Sequence, residues 1–198
     1  MKLLFFVFIL CMFNLQNANS QTTTLLYKLI VAGHNIGTVT AIKKTEGNKT
    51  TYTSNTDATA NFIFTTEIKT RMTVVYKNDI LQESSYTLFK NGKIKEVATA
   101  TLKSGVYTIT HDDETNYYSK NISKSTIILL FELPNTSESY FEEVEGTFKS
   151  IKLIKENIFE LLSKDKGQKD EYKYKNGVVQ YSLVRNTLIN FEMILKDK

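Results

Sequence analysis

Phe64-Thr65-Thr66-Glu67-Ile68-Lys69-Thr70-Arg71-Met72-Thr73-Val74-Val75-Tyr76 is the stretch that decides how this chain folds. Phe64, Thr66, Ile68, Thr70, Met72, Val74 and Tyr76 fall on one side, and Thr65, Glu67, Lys69, Arg71, Thr73 and Val75 on the other. Successive strand side chains point to opposite faces, so this alternation predicts a strand with one face covered and one wet. Leu25, Tyr27, Leu29 and Val31 repeat the pattern. So do Tyr52, Ala58, Ala60 and Phe62, set against Thr51, Thr53, Asn55, Asp57 and Thr59.

Turn signals separate these runs: Gly33-His34-Asn35, Glu46-Gly47-Asn48, Lys77-Asn78-Asp79, Asn91-Gly92, Ser104-Gly105, Lys166-Gly167 and Asn176-Gly177. The two Asn-Gly pairs are the strongest hairpin signals, because both central residues of a type I′ turn need positive φ. Connections this short make neighbouring strands antiparallel. About ten strands are expected from the spacing of the runs. So many strands would expose their edges as one flat sheet, which predicts a strongly curved sheet or incomplete barrel; a two-sheet sandwich is the alternative.

One segment departs from the pattern. Ser123-Lys124-Ser125-Thr126 precedes the continuous run Ile127-Ile128-Leu129-Leu130-Phe131, and Glu132-Leu133-Pro134 follows it. A serine cap before the run and a proline beyond it favour a short helix near 123–133, plugged into the concave side of the sheet. A fully buried strand is the competing reading, carried by the β-branched pair Ile127-Ile128. An acidic connection from Asn135 to Glu145 then leads into four or five further strands ending at Leu195.

Composition agrees with a β-rich domain. The chain has 198 residues, of which 12% are aromatic, with a single Pro and no Trp. Threonine is abundant, and branched and aromatic side chains suit a pleated, half-buried surface. All but two of the 25 basic residues are lysines, the exceptions being Arg71 and Arg185. The lysines are spread among Glu and Thr without a basic stripe, and bidentate phosphate recognition favours Arg, so nucleic acid is not an expected partner. Lysines on edge strands would discourage edge-to-edge association.

The N-terminus carries an address. Lys2 precedes an apolar run from Leu3 to Leu15, and Ala18-Asn19-Ser20 sets small residues before Gln21. Residues 1–20 therefore read as a secretory signal peptide cleaved between Ser20 and Gln21, with one β-rich domain over 21–198. The run falls short of the roughly 20 residues that span a bilayer, so no retained span is expected. Bulky Leu10 before Cys11 argues against lipidation. Cleavage removes Cys11, the one cysteine, and with it disulfide, thiolate-metal and cysteine-nucleophile chemistry.

Candidate sites are few. His34 lies in a turn. His111-Asp112-Asp113-Glu114 could offer oxygens to a hard cation but lacks the spacing of a calcium loop, and reads as an acidic hairpin tip. Two histidines are too few for a zinc site. Ser163-Lys164-Asp165-Lys166 matches Ser-x-x-Lys without the companion Ser-Asp-Asn and Lys-Thr-Gly tripeptides, and reads as a solvated turn. Glu142, Glu143 and Glu145 form a carboxylate group of the kind most surfaces carry. Asn48-Lys49-Thr50, Asn121-Ile122-Ser123 and Asn135-Thr136-Ser137 match the glycosylation sequon, which matters only in a eukaryotic secretory pathway. No motif calls for a catalytic residue, a metal or a cofactor.

Tyr27-Lys28-Leu29-Ile30-Val31-Ala32-Gly33 with Ile36-Gly37-Thr38, Tyr76-Lys77-Asn78, Phe131-Glu132-Leu133-Pro134 and Tyr174-Lys175-Asn176-Gly177 occur in this order behind the signal peptide. Together they resemble an uncharacterised family of exported Bacteroidota proteins, a domain of unknown function of the DUF6134 type. The resemblance implies a periplasmic or secreted β protein and transfers no catalytic residue. Two functions fit. The first is a non-enzymatic envelope module binding an apolar ligand, such as a lipid, or a partner segment on its curved sheet. The second is a structural or assembly component of the envelope that works through its sheet edges or the 135–145 connection.

Overall fold

The computed structural model describes residues 20–61, 65–163, 169–185 and 190–196. The signal-peptide segment with Cys11, Phe62 and Phe64, Lys164 to Lys166 of the Ser-x-x-Lys match and the Lys166-Gly167 turn lie outside these residues. The expected cleavage junction falls where the first strand begins: Ser20 is exposed and Gln21 opens β1.

The first eight strands are β1 (Gln21–Val31), β2 (His34–Glu46), β3 (Lys49–Asn61), β4 (Thr65–Lys77), β5 (Ile80–Lys90), β6 (Lys93–Lys103), β7 (Val106–His111) and β8 (Glu114–Tyr118). A single 3-10 turn, Thr126–Leu130, follows. Six more strands follow among the described residues: β9 (Ser139–Glu142), β10 (Thr147–Lys155), β11 (Ile158–Leu162), β12 (Lys169–Lys175), β13 (Val178–Val184) and β14 (Phe191–Leu195). All 14 strands join one sheet in the order β8-β7-β6-β5-β4-β3-β2-β1-β14-β13-β12-β11-β10-β9, so the expected curved meander is present and the sandwich is not. The expected ten strands were too few because short strands such as β8 and β9 carry too little alternation to register. The two meanders meet where β1 pairs antiparallel with β14, Tyr27 opposite Leu195 and Leu29 opposite Met193.

The hairpins obey the local signals. Asn91-Gly92 (φ 52° and 74°) and Asn176-Gly177 (φ 55° and 77°) both turn with two positive φ values, as type I′ requires. Inter-strand register then carries the alternation of β4 across the sheet. Leu25, Ala41, Ser54, Met72, Tyr86, Ala98 and His111 form one continuous row on the concave face.

The 3-10 turn fills one end of that concave face. Ile127 and Ile128 pack with Tyr52, Val74, Tyr76 and Tyr107, while Leu129 and Leu130 pack with Tyr27, Tyr140 and Tyr174. Each aliphatic side chain so buried contributes about 1.5–3 kcal/mol before ordering costs. Tyr174 Oη donates to the Leu129 carbonyl at 2.8 Å, and Tyr107 Oη accepts from the Ile122 N–H at 3.3 Å, which ties the plug and the segment leading into it to both meanders. The helical reading of this segment holds in shortened form, but its cap differs. Ser125 makes no side-chain capping bond. Glu143 takes that role from the other end of the molecule, accepting from the Ile127 N–H at 3.1 Å and from Thr126 Oγ1 at 2.5 Å.

The edge strands are β8 and β9; β9 bridges in parallel to Ser125, its Phe141 N–H donating to the Lys124 carbonyl at 3.0 Å, and the sheet rolls until the two edges overlap. Phe141 and Phe148, paired in register, lie on the face opposite Tyr140 and Lys149. They meet the inward side chains of the other edge: Tyr118 stacks on Phe148 with centroids 4.9 Å apart, and Tyr107 on Tyr118 at 6.4 Å. The β9–β10 turn presses onto β7 so closely that a Cβ on Gly146 would sit 2.6 Å from Ile109 Cγ2. Aromatic packing thus closes the roll along a seam where, among the described residues, β8 and β9 share no ladder. Neither edge strand carries a lysine, contrary to the expectation that lysines guard the edges. Overlap protects the seam instead.

Candidate functional site

Away from the plug the concave face is less completely covered. Near the plug, Tyr52, Val74, Tyr76 and Ala100 are buried. Further along the same strands and the same face, Ser54 and Thr56 of β3, Ile68, Thr70 and Met72 of β4, and Tyr86 and Leu88 of β5 are only half-buried. The lining mixes branched apolar side chains with hydroxyls.

A buried polar group faces this less covered part. Glu142 ends β9 and Lys149 lies on the neighbouring strand β10, on the inward side with Ile151. Glu142 Oε2 lies 3.5 Å from Lys149 Nζ, with side chains only 13% and 9% exposed, and it also accepts from the Glu145 N–H at 3.1 Å. Burial pushes the Glu142 carboxyl from 4.5 up to about 7; Lys149 opposes the rise, and the charges of Glu145 and Glu143 add to it. Asp170 of β12 is raised by burial as well, against the Arg185 N–H, which donates to it at 2.8 Å, and the charges of Lys149 and Arg185. Burial holds the Tyr172 hydroxyl well above its ordinary value, and the charges of Asp170, Tyr174, Glu142 and Glu143 push the same way. Tyr86 reaches this group from the opposite wall: burial raises its hydroxyl, with Glu96 and then Glu142 contributing. The fully buried Ser182 stands opposite Tyr172 in register, and its Oγ has no hydrogen-bond partner among the described residues.

This arrangement corrects the reading of Glu142, Glu143 and Glu145 as an ordinary surface group. Glu143 is 2% exposed and pins the plug, and Glu142 points inward. The 135–145 connection likewise contains an edge strand. The inward parity of Tyr140-x-Glu142 and Lys149-x-Ile151 was the available signal, spread over segments too short to stand out.

The other candidates separate. His34 is exposed where β2 opens, just after the Ala32-Gly33 turn. His111 Nε2 lies 2.9 Å from Glu96 Oε1, and Asp112-Asp113 forms the tip of the β7–β8 hairpin, as expected. Among the described residues no three His, Cys, Asp or Glu side chains converge as metal ligands, and no helix is long and apolar enough to cross a membrane. Ser163 ends the described part of its match. The sequon asparagines Asn48, Asn121 and Asn135 are all exposed.

A family model described as a domain of unknown function, DUF6134, matches residues 27–196. The search of curated proteins returns no match. Among solved structures, the chain is similar to a β-barrel-like protein of the DUF1849 domain of unknown function from Brucella abortus. The TM-score is 0.59 at 9% identity, over 88% of this chain and 95% of that one. At that identity the likeness speaks for the rolled-sheet fold alone.

Proposed function

Because the chain belongs to the DUF6134 family of domains of unknown function, we propose that it is an exported, non-enzymatic module of the cell envelope that binds an apolar ligand in its half-open interior. One observation carries the reading: the inward face is buried at the plugged end and only half-buried over Ser54, Thr56, Ile68, Thr70, Met72, Tyr86 and Leu88. A dry core has no use for a wall that stays accessible, whereas ligand sites are concave, largely apolar and bear a few polar groups. Ile68, Met72 and Leu88 offer the apolar wall. Glu142, Lys149 and Tyr86 offer donors and acceptors for the polar end of an otherwise apolar molecule, such as a lipid. The apolar run from Leu3 to Leu15 and the small residues before Gln21 support export to the periplasm or beyond, scarce Arg, Pro and Trp suit an AT-rich bacterial genome, and the resemblance to exported Bacteroidota proteins implies such a source.

Native mass spectrometry of the gently purified protein, followed by titration with a fluorescent apolar probe, tests this. A co-purifying lipid-sized adduct, or saturable probe binding, is expected; absence of both would overturn the reading. A structural role in envelope assembly is the second reading, favoured by edge strand β8 with its exposed Tyr117. Crosslinking in intact cells from a photoreactive residue at position 117 would then recover a reproducible protein partner.

A further inference from the structure

The two ends of the roll differ in charge in a way that the net balance of +4 conceals. Five hairpin turns, at residues 47–48, 78–79, 104–105, 156–157 and 176–177, gather at the plugged end. Contacts between tips fix this arrangement: Asn48 Nδ2 donates to Asn78 Oδ1 at 2.9 Å, and the Tyr174 N–H to the Asn157 carbonyl at 2.8 Å. Each turn adjoins an exposed lysine at a strand end: Lys49, Lys77, Lys103, Lys155 and Lys175. None of the five is in an ion pair among the described residues. Of the acids at this end, Glu46 is engaged by Lys44 at 2.8 Å and Glu132 by Lys43 at 2.6 Å, while Asp79 and Glu156 stand exposed in two of the turns and offset part of the positive charge. The opposite end carries the exposed acids of the Asp112-Asp113-Glu114 tip, which offset its exposed Lys90, Lys93 and Lys95. The lysines that seem scattered along the sequence are therefore gathered by the topology.

The same basic end holds two adjacent exposed aliphatics. Leu153 is 56% and Ile154 50% exposed, beside Lys152 and Lys155. The register slips between Leu153 and Lys155, and this bulge sets Ile154 outside the β10–β11 ladder. A single exposed Leu is ordinary; two at a hairpin tip inside a set of lysines match a bilayer interface, where apolar side chains enter the headgroup layer and lysines meet anionic phosphates. Lysine acts there as a point charge and needs no bidentate geometry, which suits a chain this poor in arginine.

We propose that the plugged end docks on an anionic lipid bilayer, with Leu153 and Ile154 entering the headgroup layer and the five tip lysines held at its phosphates. The open half of the interior then faces away from the membrane. This docking does not depend on what the interior binds.

Sedimentation of the purified protein with vesicles tests it, comparing equal parts phosphatidylglycerol and phosphatidylcholine with phosphatidylcholine alone. Binding is expected on the anionic vesicles only, and it falls as salt rises. Changing all five tip lysines to Gln weakens it at least about tenfold, since each lysine near such a surface contributes appreciably. Leu153→Ser with Ile154→Ser weakens it several-fold, and Lys90→Gln with Lys93→Gln and Lys95→Gln, at the opposite end, leaves it unchanged. Circular dichroism confirms that each variant is folded. Equal binding to both vesicle types, or full binding by the five-lysine variant, would overturn the proposal. So would polyglutamate binding of equal strength that ignores the Leu153 and Ile154 changes, which would assign this end to an acidic polymer.

Discussion

Replacing Glu142 with Gln isolates the electrostatics of the interior. The carboxyl is 13% exposed and faces Lys149 at 3.5 Å, yet burial outweighs that cation and raises its pKa from 4.5 to about 7. Between those values the folded chain holds a proton that the unfolded chain has released. Glu142 therefore contributes its stability in full below about pH 4.5, and that contribution is lost as pH rises through about 7. At about 1.4 kcal/mol per pH unit, the loss amounts to roughly 3 kcal/mol. Gln keeps the shape and an acceptor for the Glu145 N–H but removes the titration. The expected result is near-equal stability of variant and native protein at about pH 4, with the variant more stable by up to about 3 kcal/mol at about pH 8. Urea unfolding followed by far-ultraviolet circular dichroism measures both, since the chain has no Trp to report by fluorescence. Glu143 and Asp170, whose carboxyls are also raised, remain in both proteins and leave the difference nearly untouched. A variant less stable than the native protein at about pH 8 would refute the reasoning, because the Lys149 pair would then outweigh desolvation.

Three further substitutions probe the architecture by the same unfolding assay. Gly146→Ala sets a methyl against Ile109 Cγ2 at a backbone φ of +66°, and is expected to cost about 2 kcal/mol or more. Phe148→Ala opens the aromatic seam between Tyr118 and Phe141; a loss of about 2 kcal/mol is expected, below the roughly 3–5 of a fully buried Phe because Phe148 is half-buried. Tyr174→Phe leaves the buried Leu129 carbonyl without its donor and should cost about 1–3 kcal/mol.

Strand identity was legible wherever alternation ran long enough. The inward set of β4 is the set that its sequence alternates, and both Asn-Gly turns form as their chemistry requires. What stayed hidden depends on contacts between distant segments. No local pattern announces that β1 pairs with β14, or that Phe141 and Phe148 cross the seam to Tyr118. Glu142-Glu143-Val144-Glu145 reads as solvated because charges usually are, and only the roll of the sheet buries Glu143 against the plug. Ser125 looks like a cap by composition, but a carboxylate from the β9–β10 turn holds the Ile127 N–H instead. The lysines needed the topology too: set at one end of the roll by five hairpin turns, they are far apart in sequence.

The account turns on whether the half-buried inward wall receives a ligand, and one pair of substitutions on a single strand asks this directly. Thr70 of β4 points inward between Thr56 and Leu88, whereas Thr73, three residues on, points outward between Thr53 and Ser85. Ligand occupancy by native mass spectrometry, with apolar-probe titration beside it, is compared for Thr70→Trp and Thr73→Trp. The account predicts that Thr70→Trp fills the open half and abolishes binding while Thr73→Trp binds as the native protein does. Equal binding by both folded variants would contradict it.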